Sequence, residues 1–201
     1  MEELSQLIEI QKLIRNLFSD DYTGHDFFHM ERVATTAGEI AKIEDADLFI
    51  CEAAAWLHDV GDAKLFTDPE ETIKELDLFL QRIAMNEYQI NKVKEAIQDV
   101  SFSKGGNPTT LEGKIVQDAD RLDAIGAIGI ARAFAYGGAN RNYINHDTNK
   151  NNTIQHFYDK LLKIKELLHT EAAKKIADER HRFMEVYLLQ FEKEWSKTKS
   201  C

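Results

Sequence analysis

Apolar residues recur at three- and four-residue spacing along nearly the whole chain, and the runs are separated by polar breaks rather than by two-residue alternation. This spacing predicts helices near residues 2–18, 26–44, 46–60, 70–84, 87–101, 111–121, 123–136, 153–169 and 171–195, and no strand pattern competes with it. Only Pro69 and Pro108 can break a helix from within. Two loops stand out as ligand-facing segments or plain solvated connections: Ser101 to Pro108, and the polar stretch from Gly137 through Asn152. There is no repeat, low-complexity tract or linker, so the expectation is one all-α domain over residues 1–201. Its core is expected over about 20–136, with C-terminal helices 153–195 packing on it.

Composition narrows the classes. With 201 residues, 43% of them hydrophobic, the chain can bury a full core. The two cysteines, Cys51 and Cys201, form neither a disulfide framework nor a paired metal motif, which fits a reducing, cytoplasmic compartment. No stretch approaches the roughly 20 apolar residues that span a bilayer, so no membrane partner is expected. A net charge of −10 at pH 7 disfavours a duplex nucleic-acid partner, which asks for a basic face. A small anionic ligand is compatible with that charge, because a bound cation and a few arginines invert the field locally.

The chemistry concentrates in three places. The Ala-rich helix Ala53-Ala54-Ala55-Trp56-Leu57 turns abruptly polar at His58-Asp59-Val60-Gly61-Asp62, and helical spacing puts His58 and Asp62 on one face. A lone His-Asp pair is more often a buried pair satisfying its own hydrogen bonds. Here it has company: Gly24-His25-Asp26-Phe27-Phe28-His29-Met30-Glu31-Arg32-Val33 upstream and Asp118-Ala119-Asp120-Arg121-Leu122-Asp123 downstream. Two imidazoles and two carboxylates from three helices suit a divalent ion with open positions for water and substrate. His25 and His29, four residues apart, also satisfy the spacing of a two-histidine metal pair.

These segments resemble the HD superfamily, whose pattern is a histidine, then a His-Asp doublet, then a distant aspartate on consecutive helices. By that resemblance His29, His58, Asp59 and Asp120 would be the metal ligands, with Asp118 and Asp123 competing for the last role. The run from Asp118 to Gly138 and the segments His156 to Leu162 and Arg180 to Met184 are similar to the small stand-alone bacterial HD phosphohydrolases. The implied fold is an HD-domain helical bundle of about eight to nine helices. The implied cofactor is one divalent metal ion, manganese by family habit, with magnesium, iron, cobalt, nickel or zinc also acceptable to the donors.

Asp62 is the expected proton handler for the attacking water, since related nucleotide-hydrolysing members place an acid four residues after the doublet histidine. His25, Asp26, Arg32, Lys104, Arg121, Arg132, His156 and Lys160 are the candidate substrate contacts, each with a plain structural alternative. No histidine lies between Asp59 and Asp120, and dinuclear relatives draw extra ligands from that interval, so a mononuclear site is expected. The leading reaction is hydrolysis of a nucleoside triphosphate to monophosphate and pyrophosphate. A 5'-nucleotidase, an alarmone 3'-pyrophosphohydrolase and a non-catalytic metal and nucleotide sensor are the alternatives. The partner is thus a small phosphorylated molecule, and a homodimer is allowed but not indicated.

Overall fold

The computed structural model describes residues 2–19, 24, 26–100 and 106–197. Nine α-helices account for the architecture among these residues: α1 (Glu2–Leu17), α2 (Phe27–Glu44), α3 (Leu48–Leu57), α4 (Pro69–Arg82), α5 (Glu87–Ile97), α6 (Leu111–Asp123), α7 (Gly126–Ala139), α8 (Thr153–Asp159) and α9 (Glu171–Lys197). The expected all-helical class is therefore correct. The chain divides into two compact units, residues 1–120 and 121–201.

Local chemistry explains where the helices begin. Asp26, Asp47, Asp68, Asn86 and Asn152 each accept a backbone N–H from the first turn of the helix that follows, satisfying donors that have no intrahelical partner. Pro69 sits at the first position of α4, where its missing N–H costs nothing. Asn86 and Gln89 close a reciprocal capping box on α5.

In the first unit, α3 is the central element and packs against α1, α2 and α5. Every residue of α3 from Ala53 to Leu57 is buried, the signature of a helix apolar on all sides. On α2, Gly38 leaves room for Glu52 of α3: a Cβ there would come 2.6 Å from Glu52 Oε1. Full burial of a side chain such as Leu57 or Ile50 contributes about 2 kcal/mol.

Two expected boundaries move. The helix expected over 46–60 stops at Leu57, and residues 58–61 form turns in which Gly61 takes a φ of 80°. A side chain there would be strained and would meet Ile73 Cγ1 at 2.8 Å. His58 and Asp62 therefore do not share a helical face. The helix expected over 153–169 divides at Lys160 into α8 and a 3-10 helix over Leu161–Leu167. Leu161 and Ile164 are both buried, and the tighter turn of the 3-10 helix stacks residues three apart directly above one another.

The second unit packs α7 against α9, with Phe134, Phe157 and Tyr187 as an aromatic cluster at centroid distances of 6.0 to 6.2 Å. Arg180 lies over the start of α7 and donates to the Leu122 carbonyl at 2.6 Å. No helix among the described residues is long and apolar enough to cross a membrane.

Candidate metal centre

His29 enters from α2. Asp26 caps that helix by accepting the His29 N–H at 2.8 Å, which fixes the first turn and with it the histidine's Cα. The side chain is fully buried, with Phe27 packed on Trp56 at 5.4 Å nearby and the Arg15 guanidinium 3.9 Å over the Phe27 ring. Asp26, expected among the substrate-facing groups, thus has a structural partner.

His58 caps the C-terminus of α3. Its Nδ1 lies 2.8 Å from the Ala55 carbonyl oxygen, three residues earlier. A carbonyl can only accept, so Nδ1 carries the proton and Nε2 presents a lone pair. That Nε2 faces carboxylates: Asp59 Oδ1 at 3.5 Å and Asp120 Oδ1 at 3.8 Å. His29 Nε2 stands at 3.5 Å from Asp120 Oδ1 and 3.8 Å from Asp59 Oδ2, and the two rings meet edge-on at 5.3 Å.

These separations are too long for hydrogen bonds and short for groups that repel one another. An ion that holds each donor at about 2.1 Å requires neighbouring donors to lie about 3 to 4 Å apart. The observed spacings of 3.5 to 3.8 Å meet that requirement. One atom each of His29, His58 and Asp120 lies within 4.8 Å of the others. The candidate donors, these three with Asp59 beside them, are two imidazoles and two carboxylates, a set that would neutralise a divalent cation and suits a borderline ion. Asp120 is the most exposed of the four, with 25% of its side chain open to solvent, so the centre opens on that side.

The two rival aspartates on α6 are placed otherwise. Asp118 is fully buried, and Asp123 accepts from Arg132 at 2.7 Å. Arg132, expected as a substrate contact, is thereby committed to an ion pair with a carboxylate only 5% exposed.

Asp62 lies in the turn that follows the doublet. Its Oδ1 accepts the Lys64 N–H at 2.9 Å, and its own N–H donates to the Asp59 carbonyl at 3.2 Å. It lines the same cavity as His58 even though the two are not on one helix. Arg32 lies on α2 and is partly exposed. Arg121 donates to the Leu167 carbonyl and lies 3.3 Å from His169 Nε2, while Lys160 closes α8 through its N–H to the His156 carbonyl. Arg121, Lys160 and His156 all belong to the second unit. Partial burial first, and then the Lys160 charge, hold the His156 pKa below its ordinary value. His25 and Lys104 lie outside the described residues.

Sequence reasoning missed the cavity beside His58. Its walls come from α4 and α5, two amphipathic helices whose pattern carries no chemical signal, so only their packing reveals them.

Comparison with known proteins agrees with the geometry. The HD domain family model matches residues 26–125, a span that contains all four converging side chains. YpgQ of Bacillus subtilis is 39% identical over 198 residues, 96% of each chain. The crystal structure of YpgQ in complex with ADP superposes with a TM-score of 0.85 over 96% of this chain and 97% of that one, at 39% identity. An HD-superfamily hydrolase from Bacillus thuringiensis superposes with a TM-score of 0.81 at 39% identity, over 96% of this chain and 98% of the other. The Lin1889 protein of Listeria innocua gives a TM-score of 0.84 at 41% identity over 98% of both chains.

Proposed function

Because this chain belongs to the HD superfamily of hydrolases, we propose that it is a metal-dependent nucleotide phosphohydrolase that cleaves a nucleoside triphosphate to the monophosphate and pyrophosphate. The observation that carries the reading is the convergence of His29, His58, Asp59 and Asp120 with the His58 lone pair turned toward the carboxylates. The nucleotide class is supported by YpgQ, which has been crystallised with ADP.

When bound to these four residues, a divalent ion, manganese in our reading, supplies positive charge that lowers the pKa of a water and offsets phosphate charge. The protein supplies the rest. The Ala55 carbonyl holds His58 in one tautomer, and the Asp26 cap holds the turn that carries His29. Asp62 takes the proton of the attacking water, and the new bond forms between that water's oxygen and the α-phosphorus. The bond that breaks joins the α-phosphorus to the oxygen bridging to the β-phosphate, so pyrophosphate leaves with that oxygen.

The test is phosphate and pyrophosphate release from nucleoside mono-, di- and triphosphates with manganese. Pyrophosphate from triphosphates supports the reaction. Phosphate from monophosphates instead replaces it with a 5'-nucleotidase, and silence across the panel by a protein that binds manganese removes catalysis on these substrates.

A further inference from the structure

Beside the metal centre, and wholly within the first unit, lies a cavity of about 490 Å³, within the range of roughly 300–1,000 Å³ typical of small-molecule sites. Of the four converging residues only His58 touches it. The His58 nitrogens are directed elsewhere, Nδ1 to the Ala55 carbonyl and Nε2 toward Asp59 and Asp120. Recognition of a ligand in the cavity therefore falls to the residues of α4, α5 and the turn that carries Asp62.

Ile73 and Leu76 of α4 and Ile97 of α5 make apolar walls, with Leu76 only 5% exposed. Set among them are the acids Asp62, Asp77 and Glu95 and one cation, Lys94. Lys94 Nζ donates to both oxygens of Asp77, at 2.8 and 2.7 Å. The lining thus carries three carboxylates to one ammonium, and that ammonium is engaged. A cleft lined by one sign of charge on apolar walls concentrates the opposite charge, so this one repels phosphates and carboxylates and draws in a cation. The walls suit a ligand whose charge is attached to an apolar body rather than a bare hydrated ion.

We propose that this cavity is a second ligand site, separate from the metal centre, that takes an organic cation: an amine on an apolar body, with the body between Ile73, Leu76 and Ile97 and the ammonium among the carboxylates. Asp62 belongs to that lining and also takes the proton of the attacking water in the reading above. An amine held there therefore lowers turnover without competing for the metal or the nucleotide. This inhibitory consequence rests on the nucleotide-hydrolase reading, whereas the binding itself does not.

The experiment compares two ligands of similar shape and opposite charge, tryptamine and indole-3-propionate, by titration calorimetry on the manganese-loaded protein. Ile73 is 42% exposed and Ile97 is partly exposed, so Ile73→Trp and Ile97→Trp fill the space without overpacking the core. Thermal melts by circular dichroism identify which variants fold. The native protein is expected to bind tryptamine at least fivefold more tightly than it binds indole-3-propionate, and at least fivefold more tightly than each folded variant binds tryptamine. A smaller difference in either comparison overturns the site, and the comparison of ligands stands by itself where neither variant folds.

With a nucleoside triphosphate as substrate, saturating tryptamine is expected to lower kcat at least fivefold and to leave KM within twofold of its value without the amine. A rise in KM alone would make the cavity part of the substrate site, and unchanged kinetics would remove the inhibition; either result overturns the proposal. Failure of the underlying reading looks different: the native protein then cleaves no nucleotide, and calorimetry still decides whether the cation site exists.

Discussion

His58 Nδ1 is 2.8 Å from the carbonyl oxygen of Ala55, so one turn of α3 sets both the tautomer and the direction of the ring that faces Asp59 and Asp120. The arrangement uses a carbonyl left without a helical partner at the C-terminus of α3, where the chain leaves helical geometry. An acceptor that the helix has to satisfy somehow is spent on orienting a ligand. His58→Ala should therefore lower manganese affinity by more than about 100-fold, since disturbing even the groups that orient a ligand costs 10- to 100-fold. Titration calorimetry reads the affinity, and binding as tight as native would remove His58 from the ligand set.

Asp62→Asn separates catalysis from structure. The amide oxygen still accepts the Lys64 N–H, so the turn survives, but the group can no longer take a proton. We expect kcat to fall by about 10²- to 10⁴-fold with manganese affinity unchanged. Native turnover in this variant would show that another group handles the proton.

Arg132→Met leaves the Asp123 carboxylate buried without its 2.7 Å partner. Breaking a buried pair from one side costs about 3 kcal/mol or more, measurable as a lower urea midpoint with unchanged slope. If stability is unaffected while KM for nucleotide rises, Arg132 contacts substrate instead.

Burial, and then the charges of Glu112, Asp47 and Glu52, push the Cys51 thiol up to about 12. The thiolate is the reactive species, so Cys51 is inert in the folded protein. In a Cys201→Ser background a disulfide reagent at pH 8 should label no thiol in minutes, and one thiol in denaturant. Prompt labelling of the native protein would contradict the packing of α3.

His156 gives a pH dependence of opposite sign to that of a paired histidine. Its folded pKa lies below the unfolded value near 6.5, so below that pH the unfolded chain binds a proton that the folded chain resists. Stability is thus whole above about pH 6.5 and is lost as pH falls through the unfolded value toward the folded one. His156→Gln should shrink the drop in melting temperature between pH 7.5 and pH 5.5. An equal drop in both proteins would show that His156 does not carry it.

The helices were legible because burial on one face imposes a 3.6-residue period that can be read without coordinates. Boundaries were less so. Nothing local in residues 46–60 says that α3 must stop at Leu57. The stop comes from Gly61 at positive φ and from its close approach to Ile73 of the next helix. At Lys160 the backbone leaves helical geometry, with φ −133° and ψ −58°, where the apolar period runs on unbroken.

For the site, the residue types gathered candidates into three segments, and the resemblance to the HD superfamily pointed within them to His29, His58, Asp59 and Asp120, with Asp118 and Asp123 as rivals for the last role. Separating Asp120 from Asp118 and Asp123 required coordinates. All three lie on one helix within six residues, and only packing decides that Asp120 meets the imidazoles while Asp123 meets Arg132. The His58 tautomer and the cavity between α4 and α5 were also decided by tertiary structure alone. Periodicity and residue chemistry are properties of a segment, and a sequence displays them. A cavity and a donor spacing of 3.5 Å are properties of segments brought together from distant positions.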